Sequence, residues 1–230
     1  MAAGDIDRAL VEFRNVFKLN GQHKEARRLY AEAEVSRGNM REAYAQYLRL
    51  AEQYPTDLDA NRSLAEIAAT SGDLSETERF VTAALAIDPN DPESRAVKIV
   101  LDYGQAKEDG DDAGMTAASD AAKALLATLP TNRLLSGVVI DEALLRNDYD
   151  AALAGIDAAL AATPDDRALF GLRLSTLAAK GDNAGVEAGL ISMVRQFPDD
   201  PGVADALVRW YVSLKEFDKA EAFLRGNIPA

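Results

Sequence analysis

Few residues of this 230-residue sequence could take part in chemistry, and the clearest group supplies possible oxygen ligands between positions 109 and 120. Asp109, Asp111 and Gly114 occupy the first, third and sixth positions of a twelve-residue calcium-binding loop. Asp120 occupies the twelfth position, where a bidentate glutamate is usual, and Ala113 lacks the oxygen that the fifth position needs. We therefore interpret this stretch as an acidic surface loop and expect no bound metal.

The single histidine, His23, is the other candidate for chemistry. It follows the polar turn at 20–22 and precedes a predicted helix, and no partner group for acid–base catalysis can be assigned to it. The chain has no cysteine, which excludes disulfides, thiolate metal sites and cysteine nucleophiles. The serines lack the context of a nucleophile elbow. We predict that the chain is not an enzyme and requires no cofactor.

The elements that carry these residues follow a period of 34, which the prolines mark most clearly. Two groups of prolines show it, and the step between the groups is 41 residues; they are Pro55 and Pro89, then Pro130, Pro164 and Pro198. A fixed period between 20 and 50 residues indicates a repeat protein. Each unit must then bury its apolar face against the next unit.

Each unit reads as two helices. Apolar residues precede the first proline at helical spacing, as in Ala43, Tyr47 and Leu50, and a similar stretch follows it. Between the two helices lie Gly38-Asn39, Gly72-Asp73 or Gly181-Asp182, where glycine can end one helix and the next residue can cap the following one. We expect about twelve helices and no strands.

The repeat text resembles the tetratricopeptide repeat (TPR) family. That family has small residues at positions 8, 20 and 27, a bulky residue at 24 and proline at 32. With Lys24 as position 1, these positions hold Ala31, Ala43, Leu50, Tyr47 and Pro55. The resemblance covers nearly the whole chain and implies an all-α, right-handed superhelical solenoid of antiparallel helix pairs.

We expect a single solenoid over 1–230. Its units are a half unit at 4–23, then 24–57, 58–91, 92–132 with seven extra residues near 103–114, 133–166, 167–200, and an incomplete unit at 201–230. Because neither end shows a polar capping helix, we interpret the chain as a segment of a longer, bacterial-type TPR protein, with a naturally short protein as the alternative. Apolar residues at the ends then predict self-association; they are Leu10, Phe13 and Phe17, and Trp210, Tyr211, Phe217 and Phe223.

The charge is strongly negative and uneven, at −13 overall. Residues 1–54 hold 8 acidic and 9 basic side chains, whereas residues 55–230 hold 30 and 16. An acidic body repels phosphate backbones, so we expect no nucleic-acid partner. No apolar run of about 18 residues occurs, so we expect no direct membrane insertion. The compartment stays open between cytoplasm and periplasm.

The remaining candidate site is the concave groove that the first helix of each unit lines in the resembled family. The resemblance places eight notable residues there: Arg28, Glu32, Arg62, Glu66, Leu134, Val138, Asp141 and Leu172. It implies a non-enzymatic scaffold that binds a protein or peptide segment in this groove. Three alternatives stay open: a recognition or regulatory arm of a larger enzyme or envelope-assembly protein, an architectural spacer, and simple ion pairing of each arginine with the glutamate one turn later.

Overall fold

Residues 3–227 are described by a computed structural model, and the side chains of 5–226 with them. Thirteen helices and no strand occur within this range, which confirms the all-α prediction and exceeds the expected count by one. The helices are α1 (Ala3–Leu19), α2 (Lys24–Ser36), α3 (Met40–Gln53), α4 (Leu58–Ser71), α5 (Leu74–Ile87), α6 (Pro92–Asp109), α7 (Asp112–Leu126), α8 (Arg133–Leu145), α9 (Tyr149–Ala162), α10 (Arg167–Lys180), α11 (Asn183–Gln196), α12 (Pro201–Ser213) and α13 (Phe217–Asn227).

The helices start where the sequence supplies a capping oxygen. Eight of the described helices follow an aspartate whose carboxylate accepts a backbone N–H of the first turn; these are Asp57, Asp73, Asp91, Asp111, Asp148, Asp166, Asp182 and Asp200. His23 caps α2 in the same way, because its Nδ1 accepts the N–H of Ala26 at 3.1 Å. Asn39 does not cap α3 as predicted, since its amide donates to Glu34 instead.

The helix ends follow the predicted glycine rule and extend it. Gly72 and Gly181 adopt the left-handed conformation at the ends of α4 and α10. At the equivalent turns after α8 and α12, Asn147 and Lys215 have φ values of 58° and 61°. Lys215 stands 34 residues after Gly181, so the backbone keeps the repeat turn even where the residue type gives no signal for it.

The seven extra residues of the third unit lengthen its helices as well as a turn. Helix α6 has 18 residues where α4 has 14, and α7 has 15 where α5 has 14. Asp109 is the last residue of α6, and Asp111 caps α7 by accepting the N–H groups of Ala113 and Gly114. The expected acidic loop is therefore a tight helix–helix turn whose aspartate already has backbone partners.

The helices form two compact units, residues 3–138 and residues 139–227. In the first unit, each helix from α1 to α6 packs against the next one, and α6 packs against α7. Its core holds the predicted repeat positions Ala31, Ala43, Tyr47 and Leu50. In the second unit, α9 to α13 pack in the same sequential way around Leu177, Val186 and Leu207, among others. Sequential packing of paired helices is the arrangement of an α-helical repeat solenoid.

The apolar residues near the two ends differ in exposure. Leu10 is 1% exposed and the Phe17 ring packs edge-on against Tyr30 of α2, so the next helix covers this stripe, contrary to expectation. Near the other end Tyr211 is buried, whereas the Phe217 side chain is 60% exposed. No described helix combines the length and the apolar character that crossing a bilayer requires.

Candidate functional site

The first helices of two successive repeats, α2 and α4, present the four charged residues that the sequence places in the groove. Arg28 and Glu32 lie on α2, and Arg62 and Glu66 occupy the same positions 34 residues later on α4. The Arg28 Nη1 atom lies 3.7 Å from Glu32 Oε1 and 3.5 Å from Asp59 Oδ2. Only the first of these is the expected pairing within one helix. The second joins α2 to α4.

Ion pairing continues from Asp59 along α4 and on to the start of α6. The Arg62 Nη2 atom lies 2.8 Å from Asp59 Oδ1, and its Nη1 atom lies 3.2 Å from Asp91 Oδ1. We call the series Arg28, Asp59, Arg62 and Asp91 the ion-pair ladder. The expected Arg62–Glu66 pair is absent from the ion pairs of the described residues. The ladder thus links α2 to α4, and α4 to the start of α6.

The aspartate at the end of the ladder has two structural roles. Asp91 is buried at the start of α6, where its Oδ2 accepts the N–H of Ser94 at 2.8 Å. Burial raises the pKa of Asp91, but hydrogen bonds from Ser94 and the charge of Arg62 outweigh it, and the pKa falls below its ordinary value. The carboxylate is therefore held in its charged form as a cap and as an ion-pair partner.

Beside the ladder, an open pocket of about 340 Å³ lies between the first two complete repeats. Glu66 is the one predicted groove residue that lines it, and the other residues complete its walls. We call it the Glu66 pocket, and its lining is Val35 from α2, Met40 and Tyr47 from α3, and Ser63, Glu66, Ile67, Thr70 and Ser71 from α4. Its volume is at the lower end of the range of ligand pockets, about 300–1,000 Å³.

Glu66 is the charged group of this pocket. It is half-buried, and no cation among the described residues lies within ion-pairing distance of its carboxylate. Burial raises the pKa of Glu66; the charge of Arg62 opposes this, while Glu93 and Asp91 add to it. A half-buried carboxylate without an ion-pair contact costs folding free energy, so the fold alone gives no reason for glutamate here.

The other polar groups of the pocket present acceptors. The Thr70 hydroxyl donates to the Glu66 carbonyl oxygen and the Ser71 hydroxyl donates to the Ala68 carbonyl oxygen, both at 2.8 Å. With their hydrogens committed, these hydroxyls offer lone pairs to a ligand. Burial raises the pKa of Tyr47, and a hydrogen bond with Ser63 opposes the rise. The pocket therefore combines a negative charge with hydroxyl acceptors.

The downstream residues of the predicted groove are dispersed over both units. Leu134 is half-buried and packs against the core of the first unit, whereas Val138 is 4% exposed and lies in the interior. Asp141 and Leu172 belong to the second unit and are partly exposed. None of these four lines the Glu66 pocket. Sequence reasoning assigned Tyr47 to the core alone and overlooked Met40, because both lie on the second helix of their repeat.

The second unit has a larger cavity of its own, about 550 Å³, between α9, α10 and α11. The Arg173 Nε atom lies 2.6 Å from Asp157 Oδ1 among the residues that line it. Leu172, the predicted groove residue on α10, does not line this cavity. In contrast to Glu66, the carboxylate here is already neutralised by an arginine.

Comparison with known proteins identifies the repeat type. Residues 1–67, which include α2, α3 and most of α4, match the tetratricopeptide repeat family. No curated protein matches the sequence significantly. The family match thus covers six of the eight residues that line the Glu66 pocket, up to Ile67.

Solved structures show the same fold over most of the chain. A chain of the APC/C hetero-tetramer Cut9–Hcn1 is similar with a TM-score of 0.68 at 15% identity over 90% of this chain, which spans 40% of that protein's chain. PilW, a type IV pilus biogenesis factor, is similar with a TM-score of 0.64 at 15% identity, covering 90% of this chain and 93% of its own. A thermophilic TPR protein of Thermus thermophilus reaches 0.62 at 16% identity, covering 83% and 98%. Residues 1–67 thus carry the predicted tetratricopeptide repeat, and the solved structures show the same all-α repeat fold over most of the chain.

Proposed function

We propose that the chain is a non-enzymatic scaffold that binds a segment of another protein along the first helices of its repeats, with the contact centred on the Glu66 pocket. Stacked helical repeats form extended concave surfaces, and repeat proteins bind their partners on these surfaces. The observation that carries the proposal is the pocket itself. It is open, it lies between two adjacent repeats, and its Glu66 carboxylate has no ion-pair partner among the described residues.

The rest of the described site supports binding rather than catalysis. His23, the single histidine, uses its Nδ1 to cap α2. The side chains of Arg28 and Arg62 stay 33% and 27% exposed within the ladder, so each keeps a face that a partner could contact. The Cut9–Hcn1 structure is a hetero-tetramer, which agrees with a protein partner for this fold. Leu134 and Leu172 remain predicted apolar contacts further along the chain.

A phage-displayed library of random 12-residue peptides, selected against the full chain, tests the proposal. We expect retained peptides that bind the pocket. Thr70 is exposed at the pocket, so Thr70→Trp should fill the opening and weaken binding of those peptides about tenfold or more. Thr82→Trp is the matched control, because Thr82 is an exposed threonine on α5 and does not line the pocket.

Two results would contradict the proposal. One is a selection that retains no peptide above background, which would favour a spacer. The other is equal binding of the selected peptides by the wild type and by Thr70→Trp, with circular dichroism showing that the variant stays helical.

A further inference from the structure

The charge in the pocket identifies the kind of side chain that fits it. Resting on the proposed function, we infer that the Glu66 pocket receives one lysine or arginine side chain of the bound segment, with the Glu66 carboxylate as its counter-charge. The inference depends on three features: the charges around Glu66, the apolar walls, and the contrast with the equivalent glutamate one repeat earlier.

The charges around Glu66 favour a cation. Arg62, the basic residue whose charge acts on Glu66, contacts Asp59 at 2.8 Å and Asp91 at 3.2 Å. The other charges that act on Glu66 are negative, from Asp91 and Glu93. An incoming carboxylate would meet repulsion from these groups, whereas an ammonium or guanidinium group would be attracted.

The walls suit the long stem of a basic side chain. Val35, Met40 and Ile67 are apolar, and the side chains of Val35 and Met40 are 36% and 42% exposed at the opening. Lysine and arginine bury their methylene groups along such surfaces and keep the charged end at a polar partner. An ammonium group has three N–H donors. The lone pairs of the Thr70 and Ser71 hydroxyls can accept those that do not bind Glu66. A pocket of about 340 Å³ can hold one such side chain but not a folded element.

The equivalent glutamate of the preceding repeat lies in a different environment from Glu66. Glu32 stands 34 residues before Glu66, yet it is exposed and its Oε1 atom lies 3.7 Å from Arg28 Nη1. In the following repeat the same position is Val100. Among these three repeats as the structure describes them, only the one with Glu66 has a half-buried glutamate without an ion-pair partner at this position.

The peptides retained by the library selection test the inference directly. We expect them to share one lysine or arginine. Replacing that residue by glutamine should weaken binding to the wild type about tenfold or more, as expected for loss of a charged hydrogen bond. Glu66→Gln should weaken binding of the original peptide by a similar factor. The two changes together should cost little more than either one, because both remove the same contact.

Glu32→Gln is the matched control and should leave binding within about twofold, since exposed pairs contribute little. Circular dichroism and thermal unfolding of Glu66→Gln establish that it folds. Retained peptides that compete at the pocket but share no basic residue would overturn the inference and leave the scaffold proposal standing. Equal binding of the original peptide by Glu66→Gln and the wild type would also overturn the inference but not the scaffold proposal. So would additive losses when both changes are combined. A selection without any pocket-binding peptide would overturn both.

Discussion

Asp91 offers a quantitative test of how successive helix pairs are joined, because one carboxylate caps α6 and also binds Arg62 of α4. Replacing it by alanine removes the acceptor for the Ser94 N–H and leaves Arg62 with Asp59 as its remaining ladder partner. Pro92 at the first position of α6 already restricts the backbone there, so the helix should still form. The change should therefore weaken the fold of the first unit without abolishing it.

The magnitude follows from the two lost contacts. Loss of an aspartate cap typically costs about 1 kcal/mol. The side chains of Arg62 and Asp91 are 27% and 8% exposed, so we expect their ion pair to contribute toward the upper part of the roughly 0.2–1 kcal/mol that partly exposed pairs give. The sum, about 1.5–2 kcal/mol, corresponds to a fall in Tm of roughly 3–8 °C for a chain of this size.

Urea unfolding followed by circular dichroism measures the effect. Asp73→Ala is the matched control, because Asp73 caps α5 through the Glu76 N–H at 3.0 Å and is exposed. It should cost only about 1 kcal/mol. A double-mutant cycle with Arg62→Ala should give a coupling free energy of about 0.5–1 kcal/mol with Asp91. A coupling of zero, or equal losses for Asp91→Ala and Asp73→Ala, would refute the argument that the ladder stabilises the contact between α4 and α6.

The pH dependence of this difference has a definite sign. The pKa of Asp91 is lowered in the folded chain, since the hydrogen bonds from Ser94 and the charge of Arg62 outweigh burial. An acidic group whose pKa is lower in the folded chain stabilises the fold at pH values above its pKa in the unfolded chain. This stabilisation is lost as the pH falls through its pKa in the folded chain. The gap between wild type and Asp91→Ala should persist from pH 5 to pH 8 and shrink only below about pH 4.

Three further expectations concern packing, charge and association. Ala43 and Ala152 are both 0% exposed, so enlarging either to leucine should cost about 1–3 kcal/mol in thermal unfolding, whereas Ala158→Leu on the exposed face of α9 should cost little; equal melts would contradict the repeat register. Because burial raises the pKa of Glu66, assisted by Glu93 and Asp91 against Arg62, its ionisation destabilises the fold as the pH rises; Glu66→Gln should thus melt above the wild type at pH 7, with the gain disappearing near pH 4. Phe217 is 60% exposed, and Phe217→Ser should reduce the concentration-dependent association that we expect in sedimentation; a wild type that stays monomeric at high concentration would remove this expectation.

Much of the fold could be predicted because its signals are local. The proline period and the Gly-Asp turns placed α4 and α5 correctly, since capping depends on a few adjacent residues. Lys215 shows the limit: it adopts a left-handed backbone that its residue type disfavours, and packing of the repeats decides the conformation. The greater length of α6 could not be predicted from the sequence either, because the same acidic stretch is compatible with a loop and with a helix end.

One residue of the candidate site, Glu66, could be predicted from the sequence, but its pairings could not. The repeat register put Arg62 and Glu66 on the same helix face; in the structure Glu66 lines the pocket and the charge of Arg62 acts on it. The register could not show that Arg62 would reach Asp91, 29 residues later, rather than Glu66 one turn away. That choice depends on the distance between stacked helices. For the same reason Val138, predicted as a groove contact, is an interior residue.

The capping aspartates have a consequence for the cooperativity of unfolding. Serine or asparagine can cap a helix about as well as aspartate, so the fold needs an oxygen at these positions but not a charge. At Asp57, Asp91 and Asp200 the charge is used too, because a cation from the first helix of the preceding helix pair binds it; the pairs are Lys24–Asp57, Arg62–Asp91 and Arg167–Asp200. In a linear array, stability divides into terms within repeats and terms between neighbours, and the second kind makes repeats unfold together. Serine at these three positions should preserve the helices yet broaden the unfolding transition of each unit, since it removes only the coupling between neighbours.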